Sequence, residues 1–444
     1  MTSHPTNEMN RFILTGAAVL VDAHTLLPKA SLLIAGEKIV DIIMRSDQLD
    51  RHADVPVINL EGHVLIPGFV NAHTHLELGY ARGKISPPSH FADWVLDLMA
   101  LYPGSDQLNG IITRAASDGA METLHYGVTT VGDITRLPAI TRPVLNKLPL
   151  RVVSFGEITA LGKSRDQLGR RLTIAADRSD EGPRLTTGLS PHAPYSVEGP
   201  ALQEIVRQAR LNDMPLAMHL AELAEETDFL RDLSGPLGRN WELMRKLELL
   251  DVMIPLTPHG PIQWASQWGL LRCREPSDPP VVLAHVNHVS DADIELLAAA
   301  NASVAFCPRT HHYFGHPKHR AHPWRQLRAA GVNVCLATDS LASNPDLSPL
   351  REAQWLLQRH PACSPMDLVG MITSDGAAAL GRSATLGRLK PGFYADIQAF
   401  SPPKKLLSSC DQFAHWLVQT APRPEQVWVG GQLVKMGNTR ELRL

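Results

Sequence analysis

The chain has 444 residues, 42 basic and 45 acidic for a formal charge of −3, with 44% hydrophobic and 20% charged residues. At about three times a typical domain of roughly 150 residues, it suits one large barrel with a smaller companion and excludes a single small module. The ordinary composition excludes wholesale disorder, and the near-neutral charge gives no drive toward nucleic acid or anionic membrane, leaving a small neutral or zwitterionic partner.

Residues 1–11 are polar and lack the apolar centre of a secretory leader, and no uninterrupted apolar run reaches the ~18 residues of a spanning helix. The sequence therefore reads as cytoplasmic. Short strand patterns with turns at Leu27-Pro28 and Ala35-Gly36-Glu37 predict a small β element within 1–62. After Gly62, apolar strand-like runs alternate with helix-length segments, the signature of parallel β/α units. Strands are predicted over 64–75, 127–134, 151–158, 185–192, 216–220, 281–286, 302–307 and 332–338, and helices over 201–210, 291–300, 323–330 and 348–358. Eight such strands predict an α/β fold, a closed (β/α)8 TIM-like barrel over 63–384. The connector 224–280 exceeds one helix and carries Trp241, Trp264 and Trp268. It suits a lid or subunit contact, or an extra helix pair packed by those rings, which is the more common use of buried aromatics. Within 385–444, Leu389-Lys390-Pro391-Gly392 leads to strands over 395–400, 426–429 and 432–434 that complete the N-terminal β element.

The five cysteines, Cys273, Cys307, Cys335, Cys363 and Cys410, form no CxxC pair, which argues against a disulfide framework or a thiolate metal site. Histidine, at 20 residues, is the stronger signal. In a strand, residues two apart face one side, so His73 and His75 can offer two imidazoles to one ion. His219 ends the fifth predicted strand, His285 lies in the sixth and Asp339 follows the eighth. Barrel active sites are assembled at those C-terminal strand ends. Neutral imidazoles with one carboxylate suit Zn2+, or another divalent first-row ion such as Fe2+, with a position open for water. Glu222, three residues after His219, is a candidate general acid/base; alone, it reads equally well as a glutamate near a helix N-terminus beside Glu225 and Glu226. No lysine falls in 185–192, where a binuclear relative would be expected to carry a carboxylated lysine bridging two metals, so one metal ion is favoured. His192 ends that strand and faces a substrate or braces a proline-flanked loop.

Together 67–77 (PGFVNAHTHLE), 190–196 (SPHAPYS), 219–222 (HLAE), His285, 338–340 (TDS) and 386–397 (LGRLKPGFYADI) resemble the amidohydrolase superfamily, in its mononuclear aminohydrolase and chlorohydrolase branch. The resemblance covers essentially the whole chain and implies a small β-sandwich built from both chain ends, 1–62 and 385–444, around the barrel. It implies that His73, His75, His219 and Asp339 hold the metal, that Glu222, His285 and Asp339 manage protons around an activated water, and that His192 faces a small heteroaromatic substrate. The Pro-x-Ser-Asn pattern that many adenosine-type deaminases carry after the seventh strand is absent; 307–316 reads CPRTHHYFGH. With Glu77 in His-Leu-Glu, the chain looks more like 6-amino-6-deoxyfutalosine deaminases of the menaquinone route. Triazine-type chlorohydrolases or aminohydrolases and S-adenosylhomocysteine/methylthioadenosine deaminases are the alternatives. Glu77, Arg309 and His311 are expected to reach the pocket, whereas His312, His316, His319 and His322 are expected mostly in a solvated loop. A non-catalytic binding barrel fits poorly, since all six metal and acid/base residues are present. The long connector and the superfamily habit suggest a homodimer.

Overall fold

The computed structural model describes residues 11–44, 50–246, 256–273, 275, 278–315 and 321–435. Its first strands are β1 (Arg11–Asp22), β2 (Thr25–Pro28), β3 (Ser31–Ala35), β4 (Lys38–Ile43) and β5 (Val57–Pro67). The barrel strands are β6 (Phe69–His75), β7 (Val128–Thr135), β8 (Arg151–Ile158), β9 (Leu185–Pro191), β10 (Leu216–Leu220), β11 (Val281–His285), β12 (Ser303–Phe306), β13 (Asn333–Leu336) and β14 (Asp339–Ser340). The last three are β15 (Ile397–Phe400), β16 (Gln426–Val429) and β17 (Gln432–Leu433).

Both chain ends meet in one eight-stranded mixed sheet, in the order β17-β16-β15-β5-β1-β3-β4 with β2 paired to β1. Strand alternation sorts its side chains. Phe12, Leu14, Leu32 and Ile34 share one cluster with Leu65, Ile397 and Trp428, while Ile13 and Leu33 pack on the opposite face with Ile43 and Val55. Arg151 ties this sheet to the barrel: from β8 its guanidinium donates to Asp396 at 2.9 and 3.2 Å and to Glu37 at 3.2 Å, over the ring of Tyr394.

The barrel sheet runs β6 to β13 in chain order, with parallel pairing throughout, and β14 pairs with β6 through Asp339↔Thr74 and Ser340↔His75. The eighth strand is thus two pieces: β13 joins β12, and β14, two residues on, closes the ring. The single strand expected over 64–75 is likewise two. Pairing with β1 and β15 holds β5 in the mixed sheet, and the chain enters the barrel at Gly68. A Cβ there would lie 2.1 Å from Thr129 Oγ1, so only glycine permits the crossing.

The four helices expected between strands lie at Gly199–Leu211, Asp291–Ala300, Trp324–Ala329 and Pro349–Arg359. Ser290 caps the second in a reciprocal box with Asp293, and Ser348 caps the fourth ahead of Pro349. The described part of the connector forms helices Glu225–Asp232, Gly235–Lys246 and Pro261–Gln267. Trp241 and Trp264 are buried in it, and Trp268 lies against Gly199, so the packing role expected of these rings is the one observed. No helix among the described residues is long and apolar enough to cross a membrane.

Candidate active site

The C-terminal strand ends gather the predicted cluster. His73 and His75 project from β6, His219 from β10 and His285 from the last position of β11, while Asp339 opens β14. His75 Nε2 lies 3.0 Å from His219 Nε2, and Asp339 Oδ1 is 3.6 Å from Nε2 of both His73 and His75. His73 is 1% exposed and its Nε2 has no hydrogen-bond partner, an orphaned buried atom of the kind a metal ion satisfies.

The donor set has the electronic character a cation needs. Burial, together with the neighbouring histidines, holds His73 and His75 well below the ordinary histidine range, and burial brings His219 to about 4, so all three rings are neutral at physiological pH. His219 Nδ1 lies 3.1 Å from the carbonyl oxygen of His192 and donates to it, leaving the Nε2 lone pair toward the cluster. His73, His75 and Asp339 place their ligand atoms within 4.8 Å of one another, as do His73, His219 and His285. Three converging neutral imidazoles and one carboxylate fit a single divalent ion.

Asp339 is oriented by its neighbours. Ser343 Oγ donates to Oδ2 at 2.6 Å, and Thr74 Oγ1 donates to the main-chain oxygen at 2.9 Å. Asn71 and Asn344 pin Thr338 just before it, through the threonine hydroxyl and carbonyl respectively, both at 2.7 Å.

Glu222 stands beside the cluster, its Oε1 3.6 Å from His285 Nε2. Burial, then the charges of Asp339, Glu226 and Glu225, push its carboxyl well above the usual range, favouring its neutral form. Glu226, in the first turn of helix Glu225–Asp232, braces the loop before it. Its carboxylate, 0% exposed, accepts from the main-chain N–H groups of Ala221, Glu222 and Leu223 at 3.0, 2.7 and 3.0 Å. Burial pushes it up to about 7 despite those bonds.

The cavity over this cluster is lined by His75, His219, Glu222, His285 and Asp339, and by His192 and Glu77 as well. Glu77 is turned to a structural task there: its carboxylate accepts from Thr135 Oγ1 at 2.6 Å and Arg136 N at 2.9 Å, beside the helix Pro138–Leu145. The structure does not bring Arg309 and His311 to the cavity. Two buried carboxylates occupy the Arg309 guanidinium: Glu352 accepts at 2.6 Å and Asp346 at 2.8 Å, so its donors point into the fold. His311 is buried edge-on against Phe306 and His322. His322, expected in a solvated loop, is buried too, stacked on Phe306 at 3.7 Å with Nε2 2.7 Å from the His285 carbonyl oxygen. His312 is exposed as expected, and His316 and His319 lie outside the described residues.

Sequence reasoning missed Glu157 and Arg136, which line the cavity, and the aromatic wall of Phe91, Trp94, Tyr195 and Phe314. Glu157 carried a usable signal, because it stands next to last in the third predicted strand, at the same end as the candidate metal ligands. The wall comes from helix Phe91–Ala100 and loops far apart in sequence, which no strand pattern reveals.

Three comparisons bear on this arrangement. Residues 64–434 match the Amidohydrolase family. An aminodeoxyfutalosine deaminase from Deinococcus radiodurans is 28% identical over 76% of this chain and 78% of its own. A 5-methylthioadenosine/S-adenosylhomocysteine deaminase from Nitratidesulfovibrio vulgaris is 28% identical over 87% of this chain and 83% of its own. The fold superposes on Helicobacter pylori aminofutalosine deaminase in complex with methylthio-coformycin with a TM-score of 0.80, at 23% identity, covering 96% of this chain and all of that one. A barrel whose strand ends converge histidines and an aspartate, and a family match across most of the sequence, agree: the chain belongs to the amidohydrolase family of metal-dependent hydrolases.

Proposed function

We propose that this protein is a metal-dependent hydrolytic deaminase of an adenine-type nucleoside, with 6-amino-6-deoxyfutalosine as the leading substrate. The observation that carries the reading is a buried Glu222 standing beside three neutral imidazoles and Asp339. His73, His75, His219 and Asp339 would hold the ion, and the set suits zinc, with iron(II) accepting the same ligands. When bound, the ion supplies Lewis acidity that turns water into a nucleophile near neutral pH.

The chain's own residues then handle protons and position. Glu222 delivers its proton to the ring nitrogen beside the amine-bearing carbon, which makes that carbon electrophilic. Burial, which favours the neutral form of its carboxyl, suits this task. His285, 3.6 Å from Glu222, orients the attacking water. Protons shed by the water pass through Asp339 and His285 to the departing amine and back to Glu222, so ammonia leaves and the acid is restored. His192, just past the end of β9, lines the cavity beside His219 and faces the substrate.

The curated relatives named as deaminases of aminodeoxyfutalosine and of 5-methylthioadenosine/S-adenosylhomocysteine support an adenine ring as the reacting group. The test is ammonia release by zinc-loaded protein from aminodeoxyfutalosine, 5′-methylthioadenosine, S-adenosylhomocysteine and adenosine, followed by the ultraviolet change from amino to oxo purine. Turnover of at least one is expected, and inertness toward all four overturns the reading.

A further inference from the structure

Beside the ligand cluster the cavity holds a carboxylate with no hydrogen-bond donor. The Glu157 side chain is 5% exposed, yet its nearest cationic or imidazole groups, Arg136 Nε at 3.7 Å and His192 Nε2 at 3.8 Å, stand beyond hydrogen-bond reach. No hydrogen bond reaches this carboxylate among the described residues. A carboxylate that lines a cavity without a donor is completed by a ligand that brings one.

His192 faces the same space. The Ser196 hydroxyl holds its ring at Nδ1, 2.6 Å away, and its Nε2 stands 3.8 Å from the Glu157 carboxylate in one part of the cavity.

A second metal ion is not what this pair awaits. Glu157, His192 and His219 place ligand atoms within 4.8 Å, but His219 has no nitrogen to spare: Nδ1 bonds the His192 carbonyl and Nε2 faces His75. The Arg136 guanidinium beside Glu157 also repels a cation. The remaining partner is a substrate that brings hydrogen-bond donors. An adenine-type nucleoside carries hydrogen-bond donors in the amine that reacts at the ligand cluster and in the hydroxyl groups of its sugar, so the hydroxyls are the donors left for Glu157.

We infer that Glu157 is a specificity-determining residue which, beside His192, accepts hydrogen bonds from the hydroxyl groups of the substrate's sugar unit. Its carboxylate selects ribonucleosides over bare heteroaromatic rings. This deepens the deaminase reading and rests on it.

The experiment takes whichever ribonucleoside of the panel zinc-loaded protein deaminates fastest, and compares it with its 2′-deoxy and 3′-deoxy analogues and with an aminotriazine. Glu157→Gln, close in shape, is measured alongside, with zinc content and melting temperature recorded for both proteins. Loss of a charge-assisted hydrogen bond corresponds to a roughly 10–100-fold fall in kcat/KM for the ribonucleoside. The deoxy analogue lacking the bonded hydroxyl should lose much less on substitution, with zinc content unchanged. Glu157→Asp, which withdraws the same carboxylate by one methylene, should give the same pattern in weaker form. An equal loss across the panel, or no loss, overturns the inference while leaving the deaminase reading intact. A parent protein inert toward every adenine compound overturns that reading first and this inference with it.

Discussion

Asp339 can offer one carboxylate oxygen to the histidines because the other is held by Ser343. The Ser343 hydroxyl is 3% exposed and donates to Asp339 Oδ2 at 2.6 Å, while Thr310 Oγ1 lies 3.2 Å from the same hydroxyl. Oδ1 is left 3.6 Å from both His73 and His75. Ser343→Ala removes the donor and strands Oδ2 in a buried site, the loss of a hydrogen bond to a charged group worth about 1.5–3 kcal/mol. Residues that orient a metal ligand are typically worth about 10–100-fold in metal affinity, or roughly 1.4–2.8 kcal/mol, so the two scales agree. The zinc Kd of Ser343→Ala should therefore rise by about 10–100-fold. Competition against a chromophoric chelator, at fixed pH and ionic strength on stripped protein, measures it directly. At saturating zinc the variant should recover most of its turnover, because the ligand set itself is intact. A Kd within about twofold of the parent, far below the expected range, would refute the claim that Ser343 orients Asp339.

The remaining predictions concern the acid, its loop and the sheet contact. Glu222→Gln should bind zinc as the parent does but lose about 10²–10⁴-fold in kcat, the usual worth of a positioned acid/base, and unchanged turnover would remove Glu222 from the chemistry. Glu226, raised by burial from the ordinary 4.5 to about 7, keeps a proton in the folded protein that the unfolded chain releases. Its contribution to stability is full below about 4.5 and is lost as pH rises through about 7, so the stability gap between parent and Glu226→Gln, followed by denaturant unfolding, should be widest near pH 4.5 and narrow toward pH 8. Arg151→Ala leaves Asp396 buried without its bidentate partner and should cost about 3–5 kcal/mol in the same assay. A cost below about 1 kcal/mol, the range of exposed pairs, would mean that this contact does not hold sheet and barrel together.

The parts of the fold and site that were legible in the sequence are those governed by local pattern. His73 and His75 share a face because strands alternate, and His219, His285 and Asp339 sit at the ends of apolar runs that could only be barrel strands. What was not legible depends on partners far along the chain. The run Val64-Leu65-Ile66-Pro67-Gly68-Phe69 stays apolar across its change of sheet, so periodicity cannot mark Gly68 as the crossing point. Arg309 follows a strand end as a pocket residue would, but Glu352, 43 residues on, and Asp346 take its donors. The histidine-rich stretch after it looked uniformly polar, and only the Phe306 ring and the His285 carbonyl bury His322. Glu157 was visible at a strand end, but its significance lies in the donors it lacks, which only packing shows.

The same dependence on distant partners explains how the side chains of the candidate site are aimed. Ala221, His285, Val286 and Asp339 adopt left-handed backbone, with φ of 52°, 72°, 55° and 57°. For side chains other than glycine this costs of order 1–3 kcal/mol each and persists only where surrounding bonds enforce it. Here the enforcement is mutual. Val286 N donates to the Leu220 carbonyl at 3.1 Å, Asn287 N and His288 N to the Ala221 carbonyl at 2.8 and 3.0 Å, and Asn287 Nδ2 to the Glu222 carbonyl at 3.0 Å. Glu226 takes the N–H groups of residues 221–223 from the other side. The loop bearing Glu222 therefore has both its carbonyls and its amides spoken for, the carbonyls by the loop bearing His285. The two side chains share one rigid frame, and their 3.6 Å separation is a property of that frame more than of either side chain's own contacts. Strain at the strand ends thus turns the acid and its histidine into the barrel mouth, where unstrained strands would have continued to alternate between core and lumen.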